Sequence, residues 1–128
     1  MNILAPVSPG ELLDKITILK IKGNNILDEK KKDNVVLELD ILLSCWNASP
    51  WKDTDLSYEE MELYDVNKAI WDVEDEIRDK ERNKTFDNQF IELARAVYYL
   101  NDKRALIKKK INESLGSTII EEKSYDPY

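Results

Sequence analysis

Apolar residues recur three and four apart along most of the chain, the spacing of one face of an α-helix. Leu12, Ile16, Leu19, Gly23 and Ile26 form one such stripe, with Ile18 and Ile21 on the other side of the same helix. A second stripe runs through Val35, Val36, Leu39, Leu42, Leu43 and Trp46, again with two apolar residues, Leu37 and Ile41, facing away. Leu63, Val66, Ile70, Val73 and Ile77 mark a third, and Phe90, Ala94, Val97, Arg104, Ile111 and Leu115 a fourth. Start and stop signals bound these segments. Ser8-Pro9-Gly10-Glu11 and Ser57 with Glu60 have the form of capping boxes, Asp33 and Asp87 suit N-caps, Phe86 with Ile91 has the spacing of a hydrophobic staple, and Gly116 supplies a stop.

The pattern predicts four helices, at about 9–27, 34–47, 58–82 and 88–115, in one domain spanning 1–128. The charged run 28–33 reads as a solvated connection, and the loop 47–55 carries Pro50 and Trp51. A turn as short as 83–85 makes the long third and fourth helices antiparallel neighbours, so the expected fold is all-α: an antiparallel up-down four-helix bundle. The segments 1–7 and 117–128 read as extended, and both fall at the same end of such a bundle, where Ile3-Leu4 and Ile119-Ile120 could pair as a two-stranded patch.

Composition narrows the chemistry. The chain of 128 residues has no histidine and one cysteine, Cys45, which removes imidazole catalysis, an internal disulfide and nearly every zinc or copper site. A net charge of −7 opposes binding to nucleic acid or to anionic membranes. No apolar run approaches the length of a membrane span and no basic leader precedes one, so the expectation is a cytoplasmic protein.

Five stretches carry a resemblance over nearly the whole chain: Ser8-Pro9-Gly10-Glu11-Leu12-Leu13-Asp14-Lys15-Ile16-Thr17-Ile18-Leu19, Ile70-Trp71-Asp72-Val73-Glu74-Asp75-Glu76-Ile77-Arg78, Phe90-Ile91-Glu92-Leu93-Ala94-Arg95, Asn101-Asp102-Lys103-Arg104-Ala105 and Glu121-Glu122-Lys123-Ser124-Tyr125. Together they resemble a family of short proteins found in bacteria and their phages, marine phages included, of unknown function. The resemblance implies a small helical cytoplasmic protein and carries no catalytic residues and no cofactor.

Candidate chemistry is sparse. Glu59, Glu62, Glu76 and Asp79 match the E-x-x-E, E-x-x-D pattern of magnesium-dependent all-α pyrophosphohydrolases, but one uninterrupted helix holds all four and cannot wrap them around an ion. Polar residues stand on core-facing stripes at Asn67, Glu74, Asn101, Arg104 and Lys108, with Tyr64 and Trp71 alongside. Folding the third and fourth helices together sets Asn67 opposite Asn101, Tyr64 opposite Arg104 and Glu60 opposite Lys108. That constellation reads either as a polar ladder fixing helix register or as a pocket in which Arg104 and Lys108 receive a carboxylate or phosphate. Helical chorismate mutases hold a dicarboxylate in this way, yet residues 9–27 lack the arginine motif of their first helix. The basic cluster Lys103, Arg104, Lys108, Lys109 and Lys110 is expected to pair with Glu59, Glu60, Glu62 and Asp65 across the hairpin.

The off-face residues Ile18, Ile21, Leu37 and Ile41 are the candidate interface, for a protein partner or for a homodimer. With no activated nucleophile and no metal set, the favoured reading is a non-enzymatic interaction or adaptor module, and the alternative is a small-molecule binder or enzyme with an anion pocket. The tail carries Tyr125 and Tyr128, and its packing near Arg104 and Lys108 would mark the site end of the bundle.

Overall fold

The fold is all-α. Four helices, α1 (Pro9–Asn25), α2 (Glu29–Asn47), α3 (Ser57–Arg82) and α4 (Asn88–Ser114), carry the regular structure of the computed structural model, which describes residues 1–128. Each boundary has a local cause. Ser8 Oγ accepts the Glu11 N–H and Pro9 opens α1, while Asp87 Oδ1 accepts the Phe90 N–H to start α4. At the end of α4, Gly116 (φ 68°) lets its own N–H reach Glu113 and the Ser117 N–H reach Asn112, a Schellman ending.

Two starts differ from those the sequence suggests. α2 begins at Glu29, because Asp28 rather than Asp33 is its cap, accepting the Lys31 N–H at 2.9 Å. The charged run is therefore helical: glutamate and lysine lose little side-chain freedom in a helix and need no packing to stay in one. α3 has no capping box. Asp55 Oδ1 takes both the N–H and the hydroxyl of Ser57, and Leu56, the residue at the cap position, turns into the core.

α3 and α4 form a hairpin about 40 Å long at 1.5 Å per residue. α1 crosses it near its open end, with Gly10 against Asn112, Asp14 against Asn67 and Lys20 against Glu60. α2 lies along α1 rather than along α3 or α4, and its Trp46 reaches the edge of the main core. α1 is thus central, flanked on both sides, which explains its apolar residues around the whole circumference. Leu13 joins Leu56, Leu63, Val66, Ile107 and Ile111 in the main core, and Gly23 on the other side lies against Val35.

Burial is concentrated at this crossing. Nine residues of α1 are buried, whereas α2 buries Val35 alone, and between Lys68 and Leu106 only Leu93 is buried. The distal two-helix arm leaves Ile70, Val73, Ile77, Phe90, Ala94 and Val97 half exposed. Phe86 packs edge-to-face on Phe90, with ring centroids 5.1 Å apart, rather than stapling to Ile91. The extended ends do not pair. Ile3 and Leu4 lie open to solvent, and the C-terminal segment turns back along α4 instead.

Gly10 sets the spacing of the crossing. A Cβ there would sit 2.7 Å from the Lys108 carbonyl oxygen and 2.8 Å from Asn112 Oδ1. Replacing a helical glycine by alanine ordinarily stabilises by up to about 1 kcal/mol. Gly10→Ala should instead destabilise by about 1–3 kcal/mol, the usual cost of overpacking, measured as a lower midpoint in urea at unchanged slope. An unchanged or higher midpoint would show that the crossing relaxes freely.

Candidate functional site

The first turns of α1 bring the side chains of Glu11, Asp14 and Thr17, three residues apart, and the backbone N–H of Gly10 into the crossing. α3 contributes Asn67 and α4 contributes Asn101, Arg104, Lys108 and Asn112. Asp14, Thr17, Asn67, Asn101, Arg104, Lys108 and Glu11 form one connected network, and Gly10 with Asn112 forms a separate pair beside it. Asn67 Nδ2 donates to Asp14 Oδ1 at 2.8 Å and to Thr17 Oγ1 at 2.9 Å, and Thr17 Oγ1 donates in turn to the Asp14 carbonyl. Arg104 spans two helices, donating from Nη1 to Asn67 Oδ1 at 3.2 Å and from Nη2 to Asn101 Oδ1 at 2.6 Å. Asn112 Oδ1 accepts the Gly10 N–H at 2.7 Å, leaving its own buried Nδ2 without a partner.

Lys108 is the charged centre. Its ammonium lies 2.5 Å from Glu11, 2.9 Å from Glu121 of the tail and 3.8 Å from Asp14. Burial works against its charge, but the hydrogen bonds to Glu11 and Glu121 outweigh burial and hold its pKa above the ordinary lysine range. The same bond from Lys108 holds the Glu121 carboxyl below its ordinary range. Glu60, placed opposite Lys108 by simple hairpin folding, instead pairs with Lys20 of α1 at 2.7 Å. The acidic partners of the basic cluster come from α1 and the tail, because α1 stands between the two faces that were expected to meet.

Of the six candidate pocket residues, Asn67, Asn101, Arg104 and Lys108 converge. Trp71 and Glu74 do not join them: Glu74 lies about two turns farther along α3, where it pairs with Arg78. Asp14, Thr17 and Glu121 complete the network, and the signal for the first two was present in the chain as polar residues inside the most apolar helix. Of the four interface candidates, Ile21 is 1% exposed and lies on the same face of α1 as Gly10, Asp14 and Thr17, while Ile18 is half buried. Both are taken up inside the chain because α1 is covered on both sides. Leu37 and Ile41 remain open on the outer face of α2, with Val36 beside them.

The tail is fastened at two places. Glu121 and Glu122 hold Lys108 and Lys109, and Tyr128 donates to Asp102 at 2.6 Å while packing against Tyr98 and Tyr99. Between the fastenings it roofs a cavity of about 450 Å³ over Ala105 and Leu106. No three carboxylate or cysteine side chains converge anywhere to hold a metal ion, and no helix is long and apolar enough to cross a membrane.

A family model described as a family of unknown function (DUF6165) matches residues 3–128. No curated protein and no solved structure matches the chain.

Two measurements probe the network and its strap. Asn67→Leu leaves the Asp14 carboxylate and the Arg104 fork without their shared partner and should lower stability by about 1–3 kcal/mol in urea unfolding, against about 0.5 kcal/mol for Glu74→Gln on the same helix. Equal effects would remove the network from the crossing's stability. The hydrogen bond to Asp102 pushes the Tyr128 hydroxyl up to about 12. A raised folded value means that the contact is held fully below the ordinary tyrosine range and is lost as pH rises through the folded value. Ultraviolet titration at 295 nm should therefore show one of the six tyrosines ionising late, and Asp102→Asn should return it toward about 10. A single tyrosine transition in the unaltered protein would place Tyr128 in free solvent.

Proposed function

The chain belongs to the DUF6165 family, and we propose that it is a non-enzymatic protein-interaction module whose crossing is a rigid base and whose open helical surfaces receive a partner. The observation that carries this reading is the distal arm of α3 and α4, in which Leu93 is the one buried residue between Lys68 and Leu106. Helices in water draw most of their stability from packing an apolar face, and here, beyond Ile70 and Leu100 at the edge of the main core, no third helix covers the two of the arm. The outer side of α2, with Leu37 and Ile41, is a second open face.

The accessible area points the same way. The chain exposes 9017 Å², whereas a compact monomer of 15.0 kDa exposes about 7,000 Å². The excess is about 2,000 Å² by that scaling. Part of it belongs to the open termini, and the rest lies along the arm and α2.

The polar network argues against the alternative, a binder or enzyme for a carboxylate or phosphate. Lys108 stands among three carboxylates, Glu11, Asp14 and Glu121, so its charge is already neutralised from within the chain, and the Arg104 guanidinium is held by Asn67 and Asn101. The amide donors at the start of α1 are likewise taken: Gly10 by Asn112, Glu11 by Ser8 Oγ and Leu12 by the Ser8 carbonyl. An incoming anion would find no free donor there and a net negative surround.

Native-state hydrogen exchange on a dilute sample tests the reading. Amides of 70–82 and 88–100 should exchange through an opening of much lower free energy than those around Leu13, Leu63 and Ile111. Uniform protection across arm and crossing would show that the arm needs no partner, and the interaction reading would fall.

A further inference from the structure

We propose that the partner of the distal arm is a second copy of this chain, docking on the groove between α3 and α4 to build an intermolecular four-helix bundle; this rests on the interaction-module reading above. The groove is shallow and open to solvent, about 570 Å³ in volume, and is lined by Ile77, Phe86, Phe90 and Val97, with Glu74, Arg78 and Glu81 on its rim. It is the continuation of a face the chain already covers elsewhere. Asn67, Glu74 and Arg78 on α3 are seven and four residues apart, and Val97, Asn101 and Arg104 on α4 are four and three apart, so each set shares one helix face. α1 lies on that face at Asn67 and at Lys108, then leaves it; the C-terminal segment borders the α4 side as far as Val97 and Tyr98, and beyond it no other helix takes the place of α1 over Ile77, Phe86 and Phe90.

Three properties select a second copy as the occupant. The apolar wall runs along both helices of the arm, so two arms laid face to face bury two seams against each other, which is how antiparallel bundles close. The rim carries both signs in Glu74, Arg78 and Glu81: Glu74 and Arg78, paired within the chain, are one turn apart, so a two-fold axis between them lets each Arg78 exchange to the partner copy's Glu74, with Glu81 lying beyond the exchanged pairs. The area suffices as well. A standard interface takes about 800 Å² from each partner, less than half of the excess of about 2,000 Å² that the arm shares with α2 and the open termini.

Light-scattering mass after size exclusion, run across protein concentration, tests the proposal together with hydrogen exchange at the same concentrations. The unaltered chain should reach twice its 15.0 kDa mass and return to it on dilution, with exchange in 70–82 and 88–100 slow in the dimer and fast in the monomer. Ile77→Glu with Val97→Glu should give a monomer at every concentration while amides around Leu63 and Ile111 stay protected. Leu37→Lys with Ile41→Lys should leave the dimer intact. A dimer that survives the arm substitutions and splits with the α2 pair overturns this proposal and leaves the interaction-module reading standing. A monomer with a rapidly exchanging arm does the same. A monomer whose arm is as protected as its crossing overturns both. Should the arm substitutions unfold the whole chain, the exchange of the unaltered arm decides: independence from protein concentration overturns the proposal, and slowing with concentration supports it.

Discussion

Everything in this molecule hangs on how closely α1 can approach α4 at Gly10. Without a side chain there, the two backbones come near enough for the Gly10 N–H to reach Asn112 and for Glu11 and Asp14 to reach Lys108. A helix seated that tightly on one end of a hairpin has used its contact length by the time it passes Asn67 and Glu60. The arm beyond is uncovered for that reason, and α2, joined to α1 by three residues, is carried to the outside with it.

The network at the crossing is better understood as a lock than as a trap for ligand. Burying charge is expensive, and a buried ion pair is weak evidence of net stability, since well-packed apolar residues of similar size often do as well or better. What such a network does supply is intolerance of error. Sliding α1 by one turn along the hairpin would strand Asp14, Asn67, Arg104 and Lys108 without partners at once, each a buried or half-buried polar group that water can no longer reach. Apolar packing between leucines and isoleucines tolerates such a slip far more readily. The buried amide nitrogen of Asn112, left without a partner, shows how much the arrangement accepts in order to keep the Gly10 contact.

The helical periods of the sequence told most of the secondary structure, because the stripes at Leu63–Ile77 and Phe90–Leu115 are long and regular. The ends of α2 and α3 were misread where two local chemistries competed: Asp28 and Asp33 both suit a cap, and Asp55 intercepts the Ser57 hydroxyl that a capping box needs. The site was half legible. Asn67, Asn101, Arg104 and Lys108 announce themselves as polar interruptions of apolar stripes, but their partners on α1 and in the tail depend on which helix lies across the hairpin. Periodicity assigns a residue to a face and is silent on what that face meets. Ile18 and Ile21 read as outward from periodicity for the same reason: a helix apolar on all sides is a central helix, and its neighbours are known only once the chain is folded.

The arm shows how a helix pair stays formed with so little burial. Six of the eleven ion pairs lie in it, among them Lys68–Asp72, Glu74–Arg78 and Asp79–Arg82 along α3 and Glu92–Arg95 along α4, with Lys80–Asp87 tying the two helices across the turn. Such pairs contribute about 0.2–0.5 kcal/mol each to helix formation, and the Asp87 cap adds about 1 kcal/mol. These are local terms, made along each helix or across the turn, and of the pairs named only Glu74–Arg78 stands at the rim of the groove. They hold the arm helical while leaving the seam of Ile77, Phe90 and Val97 unspent. A hairpin stabilised chiefly by packing would have to close over that seam. One stabilised by its own local charges can keep it open, so that the largest gain in apolar burial is reserved for the moment another helix pair arrives.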